Sequence, residues 1–351
     1  MAYFSSPGPM YPDYRIKPDV SAPGTYIRSA SKVTECDSSD DSSSTTILSG
    51  TSMATPVVAG SVALVRQYLQ DGFTNGGVVA NTTISNPSAA LLRAVIINGA
   101  QSMRGMDIES GFPLEQAPSF KQGWGRVDLI KSLRVEGNDD SPPTFYARES
   151  VLTDNDETVV QSYEGACVEV TNSALQEDIW ALTFTLAWSD PSDDVTTGSI
   201  LNNDLDLQLY KWNYDTGTSQ FVAPLIGNDR TNNVEKIVWS NPEVGERYFV
   251  RVSRYGELLT KGVQKYALVG TGDFSIISAS EDELEQCLTP SPPSPPPPTP
   301  PPSPPPSPPP PNPPPSPPPS PPPNPPPLPP PNPPPSPPPS PPPNPPPSPP
   351  P

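Results

Sequence analysis

Seven short runs of alternating or β-branched apolar residues lie between about residues 151 and 277. They read ETVVQSY, ACVEV, ALTFTLAW, DLDLQLYKW, EKIVW, RYFVRVS and KYALVG. Turn residues such as Asn-Pro and Asn-Asp separate these runs, and none of them has the 3.6-residue period of a helix. Regularly spaced short strands are typical of an antiparallel β-sandwich or jelly roll. The pattern therefore predicts an all-β domain over 151–277.

Residues 1–135 instead combine glycine-rich turns with two helix-like apolar stretches. The first, 52–70, is apolar on nearly every side until Arg66, which predicts a helix with protein packed all around it. Few strands precede this helix to cover it, so we interpret 1–135 as part of a larger domain. The second stretch, 85–100, carries a candidate N-cap, a first-turn proline and a stop signal, which are Asn86, Pro87 and Gly99.

The remaining segments are rich in proline. Residues 136–150 are polar and proline-bearing, which suits a linker. From Pro290 to Pro351, 47 of 62 residues are proline and none is charged. Because proline fixes φ and has no N–H, this tract predicts a polyproline II rod about 190 Å long. Residues 278–351 are thus expected to form a linker and an extended or disordered tail.

All 38 acidic and 20 basic residues lie before the proline tract, and the net charge is −18. Such an acidic chain argues against nucleic acid or an anionic membrane surface as a partner, because both repel it. No apolar run reaches the length of about 18 residues that predicts a membrane span. The first ten residues, MAYFSSPGPM, lack a basic region and an apolar region, so no signal peptide is expected there.

Residues 49–56, SGTSMATP, place a serine at the start of the first helix. A serine hydroxyl needs a neighbouring base, a group that orients this base, and donors for the developing oxyanion. The first turn of a helix fixes the hydroxyl and favours negative charge. Gly50 permits a tight turn and close approach of a substrate. The plain alternative is that Ser52 merely caps an ordinary core helix.

Three longer segments resemble motifs of the subtilases, a family of serine endopeptidases. LSGTSMATPVVAGSVALV is similar to their serine motif, in which the residue at the position of Ser52 is the nucleophile. FSSPGPMYPDYRIKPDVSAPGTYI resembles the segment leading to the serine loop, and SFKQGWGRVDLIKSL the segment closing the catalytic domain. The resemblance implies the C-terminal part of an α/β catalytic domain, protein or peptide substrates, and supporting roles for Gly50 and Thr51.

The resemblance continues into the alkaline, oxidatively stable subtilases that carry a C-terminal jelly roll. It runs through FTLAWSDPSDDVTTGSILNNDLDLQLYKW, GNDRTNNVEKIVWSNPEVGERYFVRV and KYALVG. Like that branch, this chain has no histidine directly after its serine motif, where Val57 follows Pro56. A jelly roll over 151–277 is therefore implied.

The family's aspartate, histidine and oxyanion asparagine motifs lie N-terminal to the position of Met1, and the chain contains no histidine. We expect a fragment of a serine endopeptidase that is inactive alone. One alternative is a non-catalytic, wall-associated β-sandwich protein with a degenerate protease half-domain. Another is that a second chain supplies the missing half.

Five aspartates cluster within WSDPSDDVTTGSILNNDLDLQL. Strand alternation places Asp204 and Asp206 on one face and the leucines on the other. The cluster is either a solvated strand face beside an acidic loop or a structural calcium site, since calcium takes several oxygen ligands. Jelly-roll subtilases bind structural calcium, so the resemblance favours a calcium site at Asp190, Asp204 and Asp206. No organic cofactor is expected.

The cysteines, Cys36, Cys167 and Cys287, are far apart and show no metal-binding spacing. One interpretation pairs Cys167 with Cys287 and leaves Cys36 to a partner outside the chain. The other is three free thiols, which is less expected in an exported protein. Asn81, in Asn-Thr-Thr, is the candidate N-glycosylation site.

From Asn312 onward the tail repeats every four residues, with a Ser, Asn or Leu before three prolines. Ser-Pro-Pro-Pro repeats resemble the hydroxyproline-rich glycoproteins of plant and green-algal cell walls. This resemblance implies an extracellular or cell-wall location and wall glycoproteins as partners of the tail. A rigid spacer or a ligand for proline-binding domains is the alternative.

Overall fold

Eleven strands and three helices follow one another along the described part of the chain. The computed structural model describes residues 1–31, 45–73, 83–153, 163–171, 180–191, 201–213, 218–223, 229–256 and 262–278. All of these residues lie in one compact unit, Met1–Pro293. In chain order the elements are β1 (Ile27–Ala30), β2 (Thr45–Leu48), α1 (Thr51–Gln70), α2 (Ala89–Asn98), α3 (Leu129–Ser132), β3 (Thr144–Thr153), β4 (Tyr163–Val170), β5 (Leu182–Trp188), β6 (Leu205–Asn213), β7 (Thr218–Ala223), β8 (Val234–Trp239), β9 (Arg247–Arg254), β10 (Val263–Gly272) and β11 (Phe274–Ser278).

Nine of the strands form two antiparallel sheets. One sheet has the spatial order β3-β10-β5-β8, and the other has the order β11-β4-β9-β6-β7. Apolar side chains from both sheets bury one another in a common core, with Phe184 and Trp188 from the first sheet and Leu207 and Val250 from the second. The described residues therefore form an antiparallel β-sandwich, while the jelly-roll topology stays a prediction.

Six of the seven predicted runs coincide with β4, β5, β6, β8, β9 and β10. The first run, ETVVQSY, lies outside the described residues except for Tyr163. The sandwich begins earlier than expected, because β3 starts at Thr144 and pairs with β10 along its whole length. The assignment of 136–150 entirely to a linker is thus wrong after residue 143. Polar residues in the middle of TFYARESVLT hide the alternation of this strand.

A second core joins α2 to the outer face of the four-stranded sheet. Leu91, Val95 and Ile97 of α2 have no exposed surface. The sheet contributes Phe145, Ala187, Val234, Ala267 and Val269. This sheet is consequently covered on both faces, and the predicted N-terminal region shares a core with the predicted sandwich.

Polar contacts fix α2 on the sheet. The Arg93 guanidinium donates to the carbonyl oxygens of Trp188 at 2.8 Å and Asn233 at 2.9 Å. The Lys236 ammonium donates to the Ile97 carbonyl at 2.9 Å, at the C-terminal end of the helix. Because these donors reach backbone acceptors across the interface, they set the orientation of α2 as well as its position.

The cap of α2 differs from the prediction. Ser88 is the N-cap, and its hydroxyl accepts a hydrogen bond from the Leu91 N–H at 3.1 Å. The assignment of Asn86 as the cap and Pro87 as the first helical residue is wrong by two positions. The Asn86 side chain instead accepts a hydrogen bond from Arg66 at 3.4 Å. Gly99 is the C-cap, as predicted.

Helix α1 is buried on one side only. Val65 and Leu69 have no exposed surface, whereas Val57 is 37% exposed and Leu64 57% exposed. The described residues thus do not enclose the helix on every side, and the interpretation of 1–135 as part of a larger domain stays a prediction. Before α1 they supply only the two-stranded sheet β1-β2, which leaves the start of the helix open. No helix among the described residues is long and apolar enough to cross a membrane.

Candidate active site

Ser52, the predicted nucleophile, lies on the first turn of α1 and is exposed. Gly50 precedes the helix as its N-cap in an extended conformation, and its N–H donates to the Gly24 carbonyl at 2.8 Å. The Gly50 carbonyl in turn accepts a hydrogen bond from the Met53 N–H at 3.0 Å. The backbone around Ser52 is thus held on both sides while its hydroxyl stays open to solvent.

The segment that contains KPDVSAPG, residues 17–24, lies directly against the serine loop. A methyl group at Gly24 would approach the Gly50 carbonyl oxygen to 2.7 Å, so only glycine fits there. The Ser49 hydroxyl accepts a hydrogen bond from the Tyr26 N–H at 2.8 Å. Residues 24–26 therefore fix the loop that carries Ser52.

The segment containing GWGRV completes this arrangement. The Ser21 N–H donates to the Gly125 carbonyl at 2.8 Å. Arg126 and Gln101 exchange backbone hydrogen bonds of 2.8 and 2.9 Å. Gly125 has a φ of +119°, and a methyl group there would lie 2.4 Å from the Gln101 carbonyl oxygen. The three segments that resemble subtilase motifs are thus brought together in space.

The chemistry available at Ser52 is incomplete. The N-terminus of α1 favours negative charge near the hydroxyl. Pro56 has no N–H, so it provides no helical hydrogen bond to the Ser52 carbonyl. The chain holds no histidine to act as a base. These residues supply a positioned serine and a helix terminus, but not the histidine base of a triad.

A groove of about 870 Å³ runs beside the start of α1. Gly50, Thr51 and Ala54 line one side of it. Residues 18–25 contribute to another side. The two residues predicted to support the oxyanion side, Gly50 and Thr51, therefore face an open space next to Ser52.

The three candidate calcium ligands do not form a metal-binding group among the described residues. Arg230 bridges two of them, donating to Asp204 at 3.0 Å and to Asp206 at 2.8 Å. Asp190 instead accepts hydrogen bonds from the backbone N–H groups of Asn202 at 2.9 Å and Asn203 at 2.8 Å.

The shared face of Asp204 and Asp206 is confirmed, since one guanidinium reaches both. It is not a fully solvated face, because Asp206 is buried. The other two aspartates of the cluster, Asp193 and Asp194, lie outside the described residues. The calcium site stays a prediction.

Glu235 on β8 lies near Asp204 and Asp206, and it was not among the site residues predicted from the sequence. Its carboxyl accepts a hydrogen bond from the Leu207 N–H. Burial raises the pKa of Glu235 to about 8, and the neighbouring carboxylates of Asp206 and Asp229 act in the same direction. Burial also raises the pKa of Asp204 to about 6, against the opposing effect of Arg230.

Glu235→Gln is expected to stabilise the protein at alkaline pH. A folded-state pKa of about 8, against 4.5 for the ordinary group, means that folding becomes less favourable as this carboxyl ionises. The protonated Glu235 carboxyl contributes its full stability below about pH 4.5. This contribution is lost as the pH rises from about 4.5 through about 8. At about pH 9, urea unfolding should show a gain on the order of 4 kcal/mol for the variant.

The gain from Glu235→Gln should disappear below about pH 4.5, where the wild-type carboxyl is protonated in both states. Glu243→Gln, at an exposed position before β9, is the matched control and should leave the free energy of unfolding unchanged at either pH. If the Glu235 variant had the same free energy of unfolding as the wild type at alkaline pH, the raised pKa of this carboxyl would be contradicted.

Arg93, Glu235 and Lys236 carry structural roles that the sequence did not single out. The run EKIVW could have indicated the roles of Glu235 and Lys236, because two adjacent charged residues begin an otherwise apolar strand there. Successive side chains of a strand point to opposite faces. In a strand covered on both faces, both charges must then find partners inside the protein.

Two further predictions concern cysteines and glycosylation. Cys167 on β4 is disulfide-bonded, so three free thiols are ruled out. Its partner lies outside the described residues, as do Cys36, Cys287 and the sequon residue Asn81. The pairing with Cys287 and the glycosylation of Asn81 stay predictions, and the proline tail also lies outside the described residues.

Comparison with known proteins gives named relatives. The Serine protease/ABC transporter B family protein tagD of Dictyostelium discoideum is 27% identical over 342 residues, covering 81% of this chain and 18% of that protein. Subtilisin-like protease SBT6.1 of Arabidopsis thaliana is 31% identical over 121 residues, covering 34% of this chain and 9% of that protein. The chain therefore spans less than a fifth of the length of either relative.

One solved structure, the Yersinia pseudotuberculosis-derived mitogen, aligns with 38% of this chain and 95% of its own at 12% identity. Its TM-score of 0.24 is too low to indicate a shared fold. The sequence model of the subtilase family, peptidase S8, matches residues 1–125, the stretch that holds the serine loop and both segments packed around it. Residues 1–125 of this chain are therefore similar to the subtilase family of serine proteases.

Proposed function

We propose that this chain is part of a subtilase-type serine endopeptidase in which Ser52 is the nucleophile. The observation that carries the proposal is the exposed position of Ser52 on the first turn of α1, inside the family-matched segment. From there the hydroxyl can reach a peptide carbonyl, while the helix N-terminus favours the developing oxyanion. Gly50 and Thr51 shape the groove beside it.

In this proposal the base, the group that orients it and the oxyanion side chain lie outside these 351 residues, since no histidine occurs among them. In subtilisin, from which the value is taken, loss of the catalytic histidine lowers turnover by about 10⁶. The isolated chain is therefore inactive. The groove and the open side of α1 leave space for the rest of a catalytic domain.

Labelling with a fluorophosphonate probe tests this function. Only a serine activated by a base reacts rapidly with such a probe. Ser52 should be labelled in the full-length native protein and not in the isolated 351-residue chain, as read by peptide mass spectrometry. Heat-denatured full-length protein is the control and should not react.

The outcomes separate the competing functions. Labelling of the isolated chain would show that another residue serves as the base. A full-length protein that contains the histidine motif but never labels at Ser52 would favour a non-catalytic, wall-associated protein with a degenerate protease segment.

Calcium is proposed as a structural ligand of the sandwich, on the grounds of the resemblance and of the aspartate-rich loop before β6. The shared face of Asp204 and Asp206 supports it, while Arg230 competes for both carboxylates. If removal of calcium by a chelator left the melting temperature unchanged, the calcium site would be contradicted. Asp204 and Asp206 would then serve only as ion-pair partners of Arg230.

An extracellular, cell-wall location is proposed from the Ser-Pro-Pro-Pro tail. The disulfide at Cys167 supports it, because stable disulfides form in oxidising compartments. Wall glycoproteins are then the expected partners of the tail. Recovery of the protein in the cytosolic fraction, with none in the wall fraction, would oppose this location.

A further inference from the structure

A second cavity, of about 420 Å³, opens at the C-terminal end of α2. It shares no lining residue with the groove beside Ser52. Trp124 and Trp180 are among its lining residues, and its charged lining residues are Lys131 and Lys236. No carboxylate is among its described lining residues, although the chain has 38 acidic side chains. Its size falls within the range of small-molecule sites.

Lys236 gives this cavity its chemistry. Its ammonium donates to the carbonyl oxygens of Ile97 at 2.9 Å and Ala100 at 3.4 Å. These bonds engage two of its three donors, so one N–H remains for a further acceptor. Burial alone lowers the pKa of Lys236 to about 8, and no carboxylate among the described residues offsets this effect. A part-buried ammonium with no carboxylate beside it among the described residues is unfavourable, and an anion entering the cavity would relieve that cost.

The aromatic side of the cavity is itself held in place. The Lys131 ammonium lies 4.4 Å from the centre of the Trp180 ring and donates to the Asp140 carbonyl at 2.7 Å. The cation–π contact fixes the indole and adds positive charge to the same wall. A planar aromatic group suits a wall formed by an indole, since offset and edge contacts between rings are favourable.

We propose that this cavity binds a small aromatic carboxylate, with the carboxylate on Lys236 and the ring against Trp180. Such a group is available from two sources, a free aromatic acid or the C-terminal carboxylate of a peptide that ends in an aromatic residue. The site requires neither Ser52 nor the missing catalytic residues, so it stands apart from the proposed protease function.

Calorimetric titration of the 351-residue chain tests the proposal. The probes are 2-naphthoate for a free acid, N-acetylphenylalanine for a peptide C-terminus, and neutral 2-naphthamide as the matched control. At least one carboxylate should bind, and naphthamide should bind roughly ten- to a hundredfold more weakly than naphthoate, as expected for loss of a charge-assisted hydrogen bond. The better of the two carboxylates identifies the source.

Substitution locates the binding. Lys236→Met should weaken naphthoate binding by roughly ten- to a hundredfold, whereas Lys265→Met, at an exposed position on β10, should leave it unchanged. Trp180→Ala removes the ring wall and should also weaken binding, which keeps the test decisive if Lys236→Met does not fold. Circular dichroism verifies the fold of each variant.

The pH dependence gives a readout that a purely structural lysine would not show. Lys131 and Lys236 are the charged groups among the described lining residues, and affinity for naphthoate should fall as the pH rises through about 8, where Lys236 loses its proton. Equal binding of naphthoate and naphthamide, undiminished binding by a folded Lys236→Met variant, or no binding of either carboxylate at millimolar concentration would overturn the proposal.

Discussion

Under the proposed function, Ser52→Ala in the full-length protein is expected to abolish peptide-bond hydrolysis, with turnover reduced by about 10⁶, the value known for subtilisin. In the proposed function the Ser52 hydroxyl oxygen attacks the peptide carbonyl, and alanine has no oxygen that could do so. KM should change little, because alanine preserves the helix and the groove beside it. Hydrolysis of a fluorogenic peptide measures both quantities.

Ser61→Ala is the matched control for this loss. Ser61 lies on the same helix, and its hydroxyl donates to the Val57 carbonyl at 2.8 Å, away from the start of α1. This variant should retain nearly full turnover. Substantial proteolysis by the Ser52 variant, after removal of contaminating proteases, would disprove the assignment of the nucleophile.

Arg93→Ala is expected to cause a large loss of stability, roughly 3 kcal/mol. The guanidinium donates to two carbonyl oxygens and to the Asn233 side chain across the α2–sheet interface. Alanine removes these charged donors and leaves part-buried acceptors without them. Urea unfolding of the 351-residue chain, followed by circular dichroism, measures the change.

Arg66→Ala provides the comparison for this interface. Arg66 lies on the exposed side of α1 and makes one long contact with Asn86. Its removal should alter the free energy of unfolding by less than about 0.5 kcal/mol. Similar effects of the two substitutions would mean that the contacts of α2 with the sheet contribute little to stability.

The sandwich was predictable from the sequence because its strands alternate strongly. In DLDLQL, for example, Leu205, Leu207 and Leu209 enter the core between the sheets. Strand β3 was not predictable in the same way, since Arg148, Glu149 and Ser150 interrupt its apolar pattern. Its place in the sheet is set by pairing with β10, which is far away in the sequence.

The part-buried charged residues escaped prediction for a related reason. A lone arginine in AALLRAVIIN ordinarily marks the solvent side of a helix. Arg93 instead finds backbone acceptors on β5 and before β8, which only the tertiary fold places within reach. Ser52, by contrast, was proposed as the nucleophile from its local motif, whereas the geometry of a complete catalytic site depends on residues beyond the motif.

The cover that α2 provides over the four-stranded sheet has an evolutionary consequence. Helix α2 lies within the family-matched segment, yet it closes the outer face of the sandwich. A recombination event between the two regions would leave an apolar sheet face and an apolar helix each without its partner, and exposed apolar faces promote aggregation. The sandwich is therefore not a freely transferable module, and selection should keep it in the same gene as the serine segment.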